Sequence, residues 1–162
     1  HLISFYILAK KLFSFQENFR NTFSTLFLQL LKLVSLLFLF KLIFQFIGST
    51  PYFATIISSN VDFIIGYLHW TFLGVVSLSL LLFLYQFKLI RLSKKNILLY
   101  LIGFVLTEII IFYKGLVVWL NLSLIENYFM YLVMASCLFL LAIFIILWNQ
   151  LKKIIKDLNF FF

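Results

Sequence analysis

Asp62-Phe63-Ile64-Ile65-Gly66-Tyr67-Leu68-His69-Trp70-Thr71-Phe72-Leu73-Gly74 opens a run that carries no charged residue after Asp62 until Lys88. A run of this length is more than the roughly 20 residues that a helix needs to cross about 30 Å of hydrocarbon. Lipid offers no hydrogen bonds to a backbone, so only helices and closed barrels can cross it. Barrel strands alternate apolar and polar residues and last about ten residues, whereas this stretch is apolar on every face. The stretch therefore predicts a membrane-spanning helix with one histidine, His69, inside its first third.

Three more such runs surround it. Spans are expected at about residues 27–47, 63–87, 97–119 and 128–148, in an all-α, polytopic transmembrane bundle that forms a single domain over residues 1–162. Hydrophobic residues make up 65% of the chain and charged residues 11%. No soluble fold of this size could hide that much apolar surface, because about a third of the unfolded surface stays wet in a good one. The chain opens on His1 rather than Met, and the apolar segment 2–8, closed by Lys10 and Lys11, reads as the end of an earlier helix. The expectation is the C-terminal fragment of a longer protein, whose missing N-terminal spans or partner membrane subunits complete the bundle.

The net charge of +8 would suggest nucleic acid in a soluble protein. Here the basic residues sit in the loops, where they set orientation. Lys10, Lys11 and Arg20 precede the first span, Lys88, Arg91, Lys94 and Lys95 separate the second from the third, and Lys152, Lys153 and Lys156 follow the fourth. The other two loops hold only Asp62 and Glu126 as charged residues. The alternation predicts a cytoplasmic C-terminus, a multi-pass protein of the bacterial inner membrane, and the lipid bilayer rather than nucleic acid as partner. Pro51, the sole proline, follows Gly48-Ser49-Thr50 at the end of the first span, and residues 52–60 read as a short interfacial segment.

Charged side chains inside a bilayer cost about 2.5–3.5 kcal/mol each at a helix centre, which makes them candidates for function. Lys41 and Glu108 lie near mid-depth of the first and third spans, so an ion pair between them is expected if those helices touch. Asp62 and His69 are seven residues apart on one face of the second span, as are Tyr100, Thr107 and Lys114 on the third. Together they could line a polar pocket in the outer half of the membrane. Such residues serve either to lock helices together or to relay protons, as in a proton-coupled transporter using Lys41, Glu108 and Lys114. Gly66, Gly74 and Ser77 form a stripe of small residues on which a neighbouring helix can pack closely.

A membrane-embedded neutral histidine can ligate a haem or a metal. Met130, Met134 and Cys137 recur at helical steps, a soft-ligand set that suits Cu(I) but equally an apolar core. Asn121-Leu122-Ser123 matches a glycosylation acceptor set against the membrane. A single cysteine excludes an internal disulfide. The sequence carries no phosphate loop, dinucleotide fingerprint, nucleophile elbow or clustered zinc pattern, so no enzyme class is assigned.

The run Ile64 to Gly74, preceded by Gln45 to Pro51, resembles the later spans of an uncharacterised family of long bacterial polytopic membrane proteins with a Tyr-Leu-His…Leu-Gly helix. That family looks distantly like the catalytic subunit of haem-copper oxidases and its nitric-oxide-response relatives. The resemblance implies a respiratory-type module in which His69 binds haem or a metal. No other span holds a histidine, so a second axial ligand would have to come from His1 or from residues upstream of it.

Overall fold

The computed structural model describes residues 3–4, 6–7, 10–11 and 23–158, with the side chains of residues 153, 154 and 156–158 left aside. His1, the connector at residues 16–21 and the side chains of Lys153, Lys156 and Asp157 lie outside the described residues; within the segment 2–8, residues 3–4 and 6–7 are helical.

The described residues are helical and hold no strand. They form α1 (Thr25–Gly48), α2 (Pro51–Ser59), α3 (Val61–His69), a π-helical stretch (Trp70–Ser77), α4 (Leu78–Gln86), α5 (Lys94–Trp119) and α6 (Tyr128–Leu158). Among the described residues, four helices are long and apolar enough to cross a membrane: α1, the continuous helix Val61–Gln86, α5, and Tyr128–Lys152 of α6. The expected spans match them to within a few residues at each end.

Local chemistry sets the boundaries. Ser24 Oγ accepts from Phe27 N at the start of α1, and Ser93 Oγ accepts from Asn96 N at the start of α5; each satisfies an amide that the first turn leaves unpaired. At the far end of α1, Ser49 Oγ and Thr50 Oγ1 donate to the carbonyls of Phe46 and Ile47. Pro51 then opens α2 as its first residue, where its missing N–H costs nothing.

The second long helix is not uniformly α. From Trp70 to Ser77 it widens into a π-helix, a form that is rare and uses i→i+5 bonds. Hydroxyls back up the backbone along this stretch and beside it: Thr71 Oγ1 donates to the Tyr67 carbonyl, Ser77 Oγ to Phe72 and Ser79 Oγ to Val75. From the neighbouring helix, Tyr100 Oη donates to the Leu73 carbonyl at 2.8 Å. In lipid such side-chain bonds stand in for water at backbone groups that regular helix would satisfy alone.

Both α1 and α5 pack on the second long helix, while α6 packs chiefly on α5. Glycines set the approach of these helices. A Cβ at Gly66 would lie 3.1 Å from the Phe112 ring, at Gly74 2.6 Å from Phe104, and at Gly115 2.9 Å from Phe63. The phenyl rings thus interlock in an antiparallel register between the second long helix and α5. The expected packing role of Gly66 and Gly74 is realised against α5. Gly103 brings the Phe139 backbone of α6 closest, with a hypothetical Cβ 2.8 Å from Phe139 N.

The core is built on α5, whose buried residues Tyr100, Phe104, Thr107, Glu108 and Ile111 recur at three- and four-residue steps. Leu37, Leu78, Tyr100, Phe104 and Ala142 form its centre. The outer faces carry Phe72, Phe83, Ile109, Leu140 and Phe144, each more than half exposed, which is the surface a bundle presents to hydrocarbon.

Candidate functional site

The polar side chains of the bundle interior gather where α3 faces α5. Asn60 begins the cluster. As the cap of α3, its Oδ1 accepts from Asp62 N at 3.1 Å, while its Nδ2 donates to the Gly115 carbonyl of α5 at 2.8 Å. Asn60 is 5% exposed, and one side chain both terminates a helix and fastens it to its neighbour.

Half a turn along, Lys114 Nζ donates to Asp62 Oδ1 at 2.8 Å. Both side chains are partly buried, at 29% and 18% exposure. The sequence placed Asp62 and Lys114 around one polar pocket; the structure brings them into direct contact beside the cap of α3.

His69 and Glu108 lie deeper. Glu108 belongs to the buried stripe of α5 and its side chain is 4% exposed, whereas that of His69 is 43% exposed. His69 Nδ1 stands 3.9 Å from Glu108 Oε1, beyond the reach of a good hydrogen bond. Among the described residues, neither oxygen of Glu108 nor His69 Nδ1 has a hydrogen-bond partner, and all three atoms are buried. The exposure of the His69 ring therefore belongs to its other edge.

The expected pairing of Lys41 with Glu108 is not formed. Lys41 Nζ instead donates along its own helix to Gln45 Oε1 at 2.9 Å. Depth along a helix does not fix azimuth. The Glu108 carboxylate faces His69 at 3.9 Å, while the Lys41 side chain runs along α1. Sequence reasoning missed the His69–Glu108 approach because the two residues share no spacing rule across separate helices. No spacing in the sequence signals it, because His69 lies in the first third of its span and Glu108 near the middle of the other, and only the register set by the glycine–phenyl contacts brings them level.

Trp70, next to His69, fixes the helix beside the pair. Its Nε1 donates to the Leu37 carbonyl of α1 at 3.0 Å, and its ring meets Phe40, Phe44 and Phe104 at 5.9, 5.6 and 5.7 Å. Tyr100 and Thr107 are buried on α5, and their hydroxyls go to backbone carbonyls and not to the ionisable pair. Ser77 likewise bonds to its own helix.

No three His, Cys, Asp or Glu side chains gather as a metal site among the described residues. Met130 and Met134 are 62% and 58% exposed on α6, and Cys137 is exposed as well, so this set faces away from the bundle. For a haem or copper group the described residues supply one ligand, His69, with a buried carboxyl behind its Nδ1. They hold no second histidine. Comparisons of the chain with protein-family models, with characterised proteins and with solved structures find no match.

Proposed function

We propose that this chain is the membrane-embedded part of a larger multi-pass protein of the bacterial inner membrane, and that its His69–Glu108 pair handles protons. The observation that carries this reading is the contrast between its two ion-pair candidates. Asp62 and Lys114 make the short bond of a structural lock. His69 and Glu108 face each other across 3.9 Å with their buried atoms unbonded. Leaving buried polar groups unsatisfied costs about 1–3 kcal/mol each, more when they are charged, and a purely structural pair gains nothing from that cost. Intramembrane ionisable residues of this kind mark proton and ion paths. A small side-chain rotation brings Nδ1 within bonding reach of the carboxyl, so one proton can pass between the two groups. The exposed edge of the His69 ring then offers an exit from the buried carboxyl.

The cytoplasmic C-terminus belongs to the same proposal. It rests on the loop charges, together with a bond from Gln150 Nε2 of α6 to the Arg91 carbonyl at 2.9 Å. That bond puts the basic loop between α4 and α5 and the basic end of α6 on one side of the bundle, as the positive-inside rule requires.

The test is proton uptake into vesicles of the purified protein loaded with a pH-sensitive dye, driven by a potassium diffusion potential. Uptake is expected in the native chain and is lost in Glu108→Gln, with the variant still folded. Lys114→Met is expected to lower stability and leave uptake in place. Native vesicles that show no uptake, or Glu108→Gln vesicles that match them, would refute the reading.

A second reading draws on the same geometry. A carboxylate behind one ring nitrogen is the usual way of orienting a metal-bound histidine by its other nitrogen. In the respiratory-type module that the Tyr67-Leu68-His69 resemblance implies, His69 would be one ligand of a haem or metal completed by another chain or segment. The visible spectrum of the purified protein, oxidised and reduced, distinguishes the readings. A Soret band lost in His69→Ala favours this one, and a featureless spectrum with blank metal analysis removes it.

A further inference from the structure

From the end of α4 to the first turn of α5 the chain carries Lys88, Arg91, Lys94 and Lys95, all exposed. This stretch joins two helices that are each long and apolar enough to cross a membrane, so it lies at a membrane surface whichever way the bundle is oriented. It is held in place from two sides. Leu92 packs on the cluster of Phe27, Leu30, Leu82 and Ile97, and Gln150 Nε2 of α6 donates to the Arg91 carbonyl. Among the described residues none of the four cations has an ion-pair partner. The described carboxylates are engaged or distant: Asp62 takes Lys114, Glu108 faces His69, and Glu126 lies beyond the other end of α5.

Three of these cations stand where the fold itself disfavours them. Lys88 ends α4 in the left-handed region, at φ 58°, and Leu89 N bonds back to the Leu84 carbonyl at 3.0 Å. Glycine fits such a helix-ending turn without the crowding that a Cβ brings. Lys94 and Lys95 fill the first turn of α5, which holds no acidic residue, although the positive end of the helix dipole repels cations there. Orientation of the bundle requires positive charge somewhere in the loop, but not at those three positions. An anion bound from outside the chain accounts for all three placements.

The surface below the charges is apolar. Counting along α5 from Lys95, Leu98, Ile102, Val105 and Ile109 follow at three- and four-residue steps, all exposed, and share one outward stripe. Leu98 to Ile109 spans about 16 Å at 1.5 Å per residue, close to one leaflet of a hydrocarbon core about 30 Å thick. Charge thus stands at the end of the span and hydrocarbon surface runs inward from it, the order in which a phospholipid presents its own phosphate and chains.

We propose that this stretch binds an anionic phospholipid, with its phosphate among Lys88, Arg91, Lys94 and Lys95 and an acyl chain along the outward stripe of α5. The site is independent of the His69–Glu108 pair and of what that pair does.

The experiment uses the full chain in nanodiscs made from equal parts of phosphatidylglycerol and phosphatidylcholine, followed by extraction in mild detergent and native mass spectrometry. Phosphatidylglycerol is expected to stay bound in preference to phosphatidylcholine. Lys95→Gln should cut that preference about fivefold, the factor that one lysine near an anionic surface contributes. Lys88→Gly should cut it by a similar factor while the variant unfolds no more readily than the native chain, because glycine suits the backbone there. Lys152→Gln removes a cation from the same side of the bundle, where Nζ lies 5.6 Å from the Trp148 ring, and should leave the preference unchanged. Equal retention of the two lipids by the native chain overturns the proposal, and so does a preference that survives either loop variant. A loss as large in Lys152→Gln as in Lys95→Gln also overturns it, since general surface charge would then suffice.

Discussion

Among the glycines, Gly103 is the one whose added Cβ would meet the backbone of another helix, and replacing it with alanine tests how α6 is held. The added Cβ would stand 2.8 Å from Phe139 N and 2.9 Å from Phe139 Cα. Carbon contacts settle at about 3.5–4.0 Å, so α6 would have to retreat by about 0.5–1 Å. Lipid is as apolar as the side chains it replaces, so such helices associate mainly through close packing and not through the hydrophobic effect. A gap of that size forfeits about a quarter to a half of each contact it opens. Overpacking of this kind costs about 1–3 kcal/mol, and backbone atoms cannot swing aside as a side chain can. We expect Gly103→Ala to lose about 2 kcal/mol. The loss should be read by reversible unfolding in mixed lipid–detergent micelles with an increasing share of denaturing detergent. Gly48→Ala is the control. There the new Cβ meets only Ile57 Cδ1, at 3.3 Å, and alanine gains about 0.5–1 kcal/mol over glycine within a helix. A Gly103→Ala protein within about 0.5 kcal/mol of native, or an equal loss in Gly48→Ala, would refute the reasoning.

Two further predictions concern the frame around the polar site. Asn60→Ala removes the cap of α3 and leaves the Gly115 carbonyl without its side-chain donor; a loss of about 2–3 kcal/mol is expected in the same unfolding assay, from a cap worth about 1 kcal/mol and a buried bond worth about 1–2. A loss under about 0.5 kcal/mol would show that the Asn60 bonds do not hold α3 to α5. Trp70→Phe keeps the aromatic contacts with Phe40, Phe44 and Phe104 but deletes the bond to the Leu37 carbonyl. The expected cost is about 1 kcal/mol, with proton uptake retained. Loss of uptake at unchanged stability would instead tie Trp70 to the His69–Glu108 pair.

Much of this architecture is legible in the sequence because lipid is an exacting solvent. Backbone polar groups must be satisfied within each span, so length and apolarity alone identify helices. Pro51 marks the end of the first span, while the caps Ser24, Asn60 and Ser93 start three helices two or three residues earlier than the apolar runs do. The lysine and arginine pattern adds an expected orientation, because those charges hold to one side of a membrane. Depth along each span follows from a constant rise per residue, and so the sequence could rank Lys41, Asp62, His69, Glu108 and Lys114 by level.

Which of those residues meet was decided only by the tertiary structure. A one-dimensional pattern gives a residue its height in the membrane but not the direction it faces, and nearly all-round apolarity blurs the helical stripe that would supply the direction. Lys41 and Glu108 share a level yet point to different neighbours, one to Gln45 and the other to His69. Asp62 and Lys114 meet because Gly66, Gly74 and Gly115 seat phenyl rings that set the register of the second long helix against α5. The π-helical turn after His69 has no signature in composition, since it depends on hydroxyls within the helix and on Tyr100 from the next one. Composition and spacing made this chain a membrane bundle and set the depth of its polar residues. Helix rotation and register, fixed by contacts between distant parts of the chain, brought His69 opposite Glu108.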